Sequence, residues 1–150
     1  MKHITILLLF ISLGAHGQLV KQEETKSTIV GQVNYSMTKT PLAILSFKVF
    51  ESDTMYSLTF RNVQYTHIDD YKQLTWMGKQ TTDQLYETML SFFSDPTKQE
   101  GDYSETYTLG NDRVTLRVVK NLGIYQLLVY TDFGSFVIQS KQLDKLFDIR

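Results

Sequence analysis

The sequence predicts an α+β fold in which antiparallel sheet is covered by two amphipathic helices. Three observations carry this. Apolar and polar residues alternate with period two through a series of short segments, as strands with one wet face require. The period lengthens to that of a helix after Gly78 and again after Ser140. The order of strands then helix occurs twice, over 29–93 and 103–149, which reads as a duplicated four-strands-plus-helix unit or, equally, as the way any α+β domain with two helices divides.

The chain opens with Met1-Lys2-His3, runs through apolar residues from Ile4 to Ile11 and reaches Gly14-Ala15-His16-Gly17 before turning polar at Gln18. A short charged start, an apolar centre and small residues at the exit make up a secretory signal peptide, and Ala15 and Gly17 suit cleavage before Gln18. The apolar stretch is about half of the roughly 20 residues that a permanent span needs, so no stable membrane span is expected after cleavage. The expected location is periplasmic or extracellular. Residues 18–28, polar and of mixed charge, read as a flexible leader, and 29–150 as a single α+β domain.

Composition narrows the chemistry. The 150 residues carry Lys+Arg 15 against Asp+Glu 16 and no cysteine, so loss of Lys2 leaves a net charge of about −2. This balance does not favour nucleic acid as a partner, because backbone binding rests on a basic excess. Without cysteine there is no disulfide, thiolate nucleophile, lipid-bearing N-terminus or cysteine-ligated metal. Stability must then come from packing, for which Tyr 9, Phe 9 and Trp 1 supply large apolar surfaces.

The first strand is predicted from Ile29, with Ile29, Gly31, Val33, Tyr35 and Met37 on one face. Lys39-Thr40-Pro41 breaks it. Ala43, Leu45, Phe47 and Val49 share a face of the second strand, Glu51-Ser52-Asp53 turns the chain, and Tyr56, Leu58 and Phe60 alternate in the third. Thr66 to Asp70 suggests a bend, and residues 71–77 form a fourth strand. Thr81 or Thr82 is expected to cap the first helix, with Gln84 completing a capping box to Thr81. Leu85, Met89 and Phe92 make its apolar stripe, and Asp95-Pro96 ends it. Residues 97–102 form a surface connection. Four strands follow: Tyr103 to Leu109, the segment around Val114, Leu116 and Val118, Ile124 to Tyr130, and Phe133 to Ile138. Gly110-Asn111-Asp112, Asn121-Leu122-Gly123 and Thr131-Asp132 are their turns. Ser140 is expected to cap a last helix carrying Leu143, Leu146 and Phe147. In the duplicated reading, Trp76 and Met77 correspond to Phe136 and Val137.

No catalytic signature emerges. His67 is the one histidine left after cleavage, so a metal site would have to be improvised from His67, Asp69 and Asp70, and a polar turn explains them more simply. No serine sits in a nucleophile elbow, and there is no phosphate loop or dinucleotide fingerprint. Carboxylate pairs such as Asp69 with Glu87 or Glu105 with Asp132 leave a hydrolase using acidic residues as a remote alternative. Asn34-Tyr35-Ser36 matches a glycosylation acceptor, a triplet that also arises by chance. No cofactor and no metal are expected.

Binding surfaces are the better candidates. Arg113 and Arg117 share the face opposite Val114, Leu116 and Val118, which would set two guanidinium groups roughly 13 Å apart along a strand, with Lys120 just beyond. A phosphate backbone could meet that spacing, but a solvated sheet face with charges that block edge pairing explains it as well. Tyr103 and Tyr107 alternate with Ser104, Thr106 and Thr108, while Tyr125 and Tyr130 lie on the opposite hairpin. Uncovered tyrosines of this kind would suit a protein partner, a glycan or a second copy of the chain.

Through the stretch Tyr56 to Tyr65 and the pattern Gly134 to Phe147, the chain resembles small exported proteins of uncharacterised function found in Bacteroidetes. That resemblance implies an envelope or extracellular location and no assigned chemistry. The repeated order of four strands and a helix also resembles the single-stranded-DNA-binding transcriptional coactivators and the plant whirly proteins, whose sheets bind nucleic acid with basic and aromatic residues. The chain departs from them in its signal peptide, its mild acidity and a basic cluster limited to Arg113, Arg117 and Lys120. The expectation is a non-enzymatic binding or structural protein of the cell envelope, with nucleic-acid binding on a sheet face as the alternative.

Overall fold

A computed structural model describes residues 26–35, 39–65 and 67–149. The expected signal peptide, the expected leader as far as residue 25, Met37, Thr66 and the Ser36 of the glycosylation triplet lie outside the described residues.

The first half contains β1 (Thr28–Asn34), β2 (Pro41–Phe50), β3 (Asp53–Arg61) and β4 (Tyr71–Met77), then α1 (Lys79–Ser94) and a 3₁₀ turn over Pro96–Gln99. The second half contains β5 (Ser104–Leu109), β6 (Asp112–Asn121), β7 (Ile124–Thr131) and β8 (Gly134–Ile138), then α2 (Ser140–Leu146). Each set of four strands is an antiparallel meander, ordered β1-β2-β3-β4 and β5-β6-β7-β8. The protein is therefore an α+β fold with two four-stranded antiparallel sheets and two helices.

The two sheets share one register when counted from their central hairpins. Phe50 pairs with Asp53 and Asn121 with Ile124 across loops of equal length. Three pairs further in, Phe47 faces Tyr56 and Val118 faces Leu127, with Trp76 and Ile138 completing the rows. Trp76 thus corresponds to Ile138 rather than to Phe136, two residues from the correspondence that the helix starts suggested.

The helices are exchanged between the halves. α2 packs on β1 and β2 of the first sheet, and α1 lies against β6 and β7 of the second as well as β3. Both helices meet through Tyr86, whose hydroxyl donates to Asp144 Oδ1 at 2.9 Å and whose ring lies 5.4 Å from that of Phe147. The halves share one core. Phe60 of β3 sits 4.8 Å from Phe136 of β8 between ring centroids, and both are fully buried. Beside them Asn62, only 1% exposed, accepts from the Ser135 backbone N–H at 3.1 Å and donates to Asp70 Oδ2 at 3.0 Å. A buried amide must satisfy its polar atoms, and this one does so by tying the β3–β4 connection to β8.

Three local expectations are corrected. Ile29 is exposed because the β1–β2 register shifts between Ile29 and Gly31, so that Ile29 pairs with Ser46 while Gly31 and Val33 face the core rows. A bulge of one residue reverses the alternation, and here it turns Val30 against the core instead. α1 begins at Lys79, two residues before Thr81, because Gly78 adopts φ 83 and turns the chain directly out of β4. Thr82 is then buried, accepting from Trp76 Nε1 at 2.8 Å rather than capping the helix. At α2 the cap is Gln139, in a reciprocal box with Gln142, and Ser140 is the first helical residue. The segment 97–102 is partly structured, since Asp95 caps the 3₁₀ turn by accepting from the Thr97 backbone N–H.

Candidate functional site

The matched register places Gly31 of β1 and Glu105 of β5 at equivalent points. Gly31 pairs with Leu45 and Glu105 pairs with Leu116, both leucines being fully buried. On the first sheet the absence of a side chain brings α2 directly onto the strand, so close that a Cβ at Gly31 would lie 2.3 Å from the Lys145 carbonyl oxygen. On the second sheet the same point carries a carboxylate, and α1 is not seated in the same way.

The Glu105 carboxylate is held from three sides. The Tyr103 hydroxyl donates to Oε1, the Tyr107 hydroxyl donates to Oε2, and Lys98 Nζ lies 3.2 Å from Oε2. Lys98 also stands 4.7 Å over the Phe92 ring and 3.1 Å from Ser91 Oγ, which locks the cluster to the C-terminal end of α1. The hydrogen bonds from Tyr103 and Tyr107 hold the Glu105 carboxyl below the usual carboxylate range. Burial, together with the bond to Glu105, pushes the Tyr107 phenol well above its ordinary value.

Tyr107 also borders a space between the N-terminal half of α1 and the β5–β6 hairpin. A groove of about 600 Å³ opens there between α1 and the β5–β6 hairpin. Leu85, Leu109, Val114 and Leu116 form its floor, the Tyr107 ring one wall, and Gln84, Glu87 and Thr88 part of its polar rim. A smaller groove of about 320 Å³ lies on the other flank of α1, against Val30, Phe47, Tyr56 and Phe147.

The residues singled out from the sequence are distributed over several surfaces. Arg113 and Arg117 do share the outward face of β6, opposite Val114, Leu116 and Val118. Each is paired with an acid: Arg113 with Asp132 at 2.9 Å and Arg117 with Asp102 at 2.5 Å. Lys120 has the opposite parity and stands 5.2 Å over the Tyr125 ring at the β6–β7 tip. The three cations are therefore not brought together. Tyr103 and Tyr107 flank Glu105 on the inward face, leaving Ser104, Thr106 and Thr108 as the outward row. Tyr125 and Tyr130 remain exposed.

The acidic pairs are likewise separated in their bonding. Asp132 is taken by Arg113 and Glu105 by its tyrosines, while Asp69 pairs with Arg61 at 3.0 Å. Asp70 bonds Asn62 and Lys72, which hold its carboxyl below the usual range. Of the groove residues, Tyr107 is a binding candidate of the sequence and Thr108 belongs to its hydroxyl row, while most of the others are read there as core or helix positions. Glu105, a carboxylate on the inward parity of Tyr103, Tyr107 and Leu109, is the signal for the cluster beside the groove.

No protein-family model matches the chain, and comparison with curated proteins and with solved structures finds no similar protein.

Proposed function

We propose that the protein is an exported, non-enzymatic binding component of the cell envelope that takes an apolar segment of a partner polypeptide into the groove between α1 and β5–β6. The groove carries this reading: about 600 Å³ of space with an aliphatic floor and a few amide, hydroxyl and carboxylate groups at its rim. Ligand sites are commonly concave, mostly apolar and of this size. A glycan fits less well, because sugar rings pack on aromatic faces and Tyr107 is the single tyrosine lining the groove. The pairing of Arg113 and Arg117 with carboxylates argues for ranking nucleic acid below a protein partner. Export rests on the signal-peptide pattern of residues 1–17.

The test uses a neutral apolar fluorophore, N-phenyl-1-naphthylamine, titrated into the processed protein. Saturable binding at one site is expected, and Thr88→Trp, which places an indole at the groove rim, should weaken it about tenfold. Absence of saturable binding, or equal binding by a folded Thr88→Trp variant, would contradict the reading. Export is checked separately by the N-terminus of the native protein, expected at Gln18 in the envelope or medium. An intact Met1 start in the cytosol would refute it.

A further inference from the structure

The β6–β7 hairpin ends in a tip of unusual composition, on a backbone that turns left-handed at a non-glycine residue, as it also does at Glu51 (φ 50) in the matching β2–β3 tip. Leu122 is 96% exposed, Ile124 52% and Tyr125 39%. Leu122 has φ 49 and Gly123 φ 83, so both central residues of the two-residue loop are left-handed. That turn favours asparagine or glycine at its first central position, because a side chain there crowds the backbone. A leucine therefore carries backbone strain and full exposure of an apolar side chain at one position. Neither is needed to close the hairpin.

We infer that this tip is a lipid-surface contact, in which Leu122 and Ile124 enter the interfacial layer of a bilayer while Tyr125 and Lys120 lie at headgroup depth. Charge supports this occupant. Residues 119–126 include one charged side chain, Lys120, and no acid. Its ammonium lies 5.2 Å over the Tyr125 ring, pairing the two side-chain types that anchor proteins at a membrane–water boundary. The matching β2–β3 tip supplies an internal contrast. Val49 and Phe50 are also exposed there, but beside Glu51 and Asp53, which an anionic surface repels.

Shape also separates a bilayer from a second copy of the chain. A protrusion one hairpin wide falls well short of the roughly 800 Å² per partner that a stable protein interface buries. A bilayer accepts a narrow apolar protrusion without a complementary surface. The contact is independent of the α1/β5–β6 groove.

The experiment is flotation of the processed protein with phosphatidylcholine vesicles, plain or containing about 30% phosphatidylglycerol. Binding is expected to both, and to be stronger on the anionic vesicles. Leu122→Asn should lower partitioning about tenfold while leaving the melting temperature unchanged or raised, since asparagine tolerates the left-handed turn. Phe50→Asn, at the other tip, should leave partitioning unchanged. No flotation of the wild-type protein, or undiminished flotation of Leu122→Asn, overturns the inference. So does capture of a protein by the Leu122 tip without vesicle binding.

Discussion

Gly31 and Glu105 occupy the same point in two matching sheets, each opposite a fully buried leucine, and their surroundings differ. Where the glycine stands, α2 rests on backbone. Where the glutamate stands, two tyrosines and a lysine gather around it, and one of those tyrosines, Tyr107, also lines the groove beside α1.

Gly31→Ala should destabilise the protein by about 1–3 kcal/mol, the usual cost of overpacking a tight contact. The added Cβ would sit 2.3 Å from the Lys145 carbonyl oxygen and 2.4 Å from that of Leu146, so α2 must lift from β1. Urea unfolding measures the loss. An unchanged midpoint would show that α2 is not seated there.

Glu105→Gln isolates a pH effect. The folded-state pKa of Glu105 lies below its ordinary value near 4.5, so its contribution to stability is complete above that value and is lost as pH falls through the depressed one. The stability advantage of wild type over the variant should accordingly shrink as pH is lowered from about 5 to about 3. Asp70 and Asp95 shift in the same direction but remain in both proteins, so their effects cancel in the difference. A constant difference across that range would argue against the cluster.

Asn62→Ala should cost about 2–3 kcal/mol, because it removes a buried amide and leaves the Ser135 N–H and the Gln64 N–H without their acceptor. Thermal or urea unfolding checks the size. Hydrogen exchange at Ser135 should rise in the variant if the tie between β3 and β8 is made as described.

Arg113→Ala and Arg117→Ala should each change stability by less than about 1 kcal/mol, since their partners Asp132 and Asp102 are solvent-exposed. A labelled single-stranded oligonucleotide is expected not to bind the wild-type protein at low salt, where backbone attraction is strongest. Tight low-salt binding lost in the double variant would reinstate the sheet face as a nucleic-acid surface.

The strands were readable because each carries its alternation in local sequence. Ala43, Leu45, Leu58, Phe60, Val114, Leu116 and Phe136 all fall on the inward rows. Ile29 failed because a bulge is set by pairing with β2 and leaves no reliable mark in the strand itself. The start of α1 failed for a similar reason: a glycine with φ 83 turned the chain before the hydroxyl cap was reached. Arg113 and Arg117 were placed on one face, yet their neutralisation by Asp132 and Asp102 is a tertiary fact, made by residues 19 and 15 positions away. The groove was hidden most completely, since it arises from how α1 meets a sheet that lies later in the chain.

Amide chemical-shift mapping during titration with N-phenyl-1-naphthylamine tests the groove most directly. Shifts concentrated at Leu85, Thr88, Thr108, Leu109 and Val114, around the space between α1 and β5–β6, are expected. Shifts confined to the smaller groove at Val30, Phe47 and Phe147, or scattered over the outer sheet faces, would contradict it.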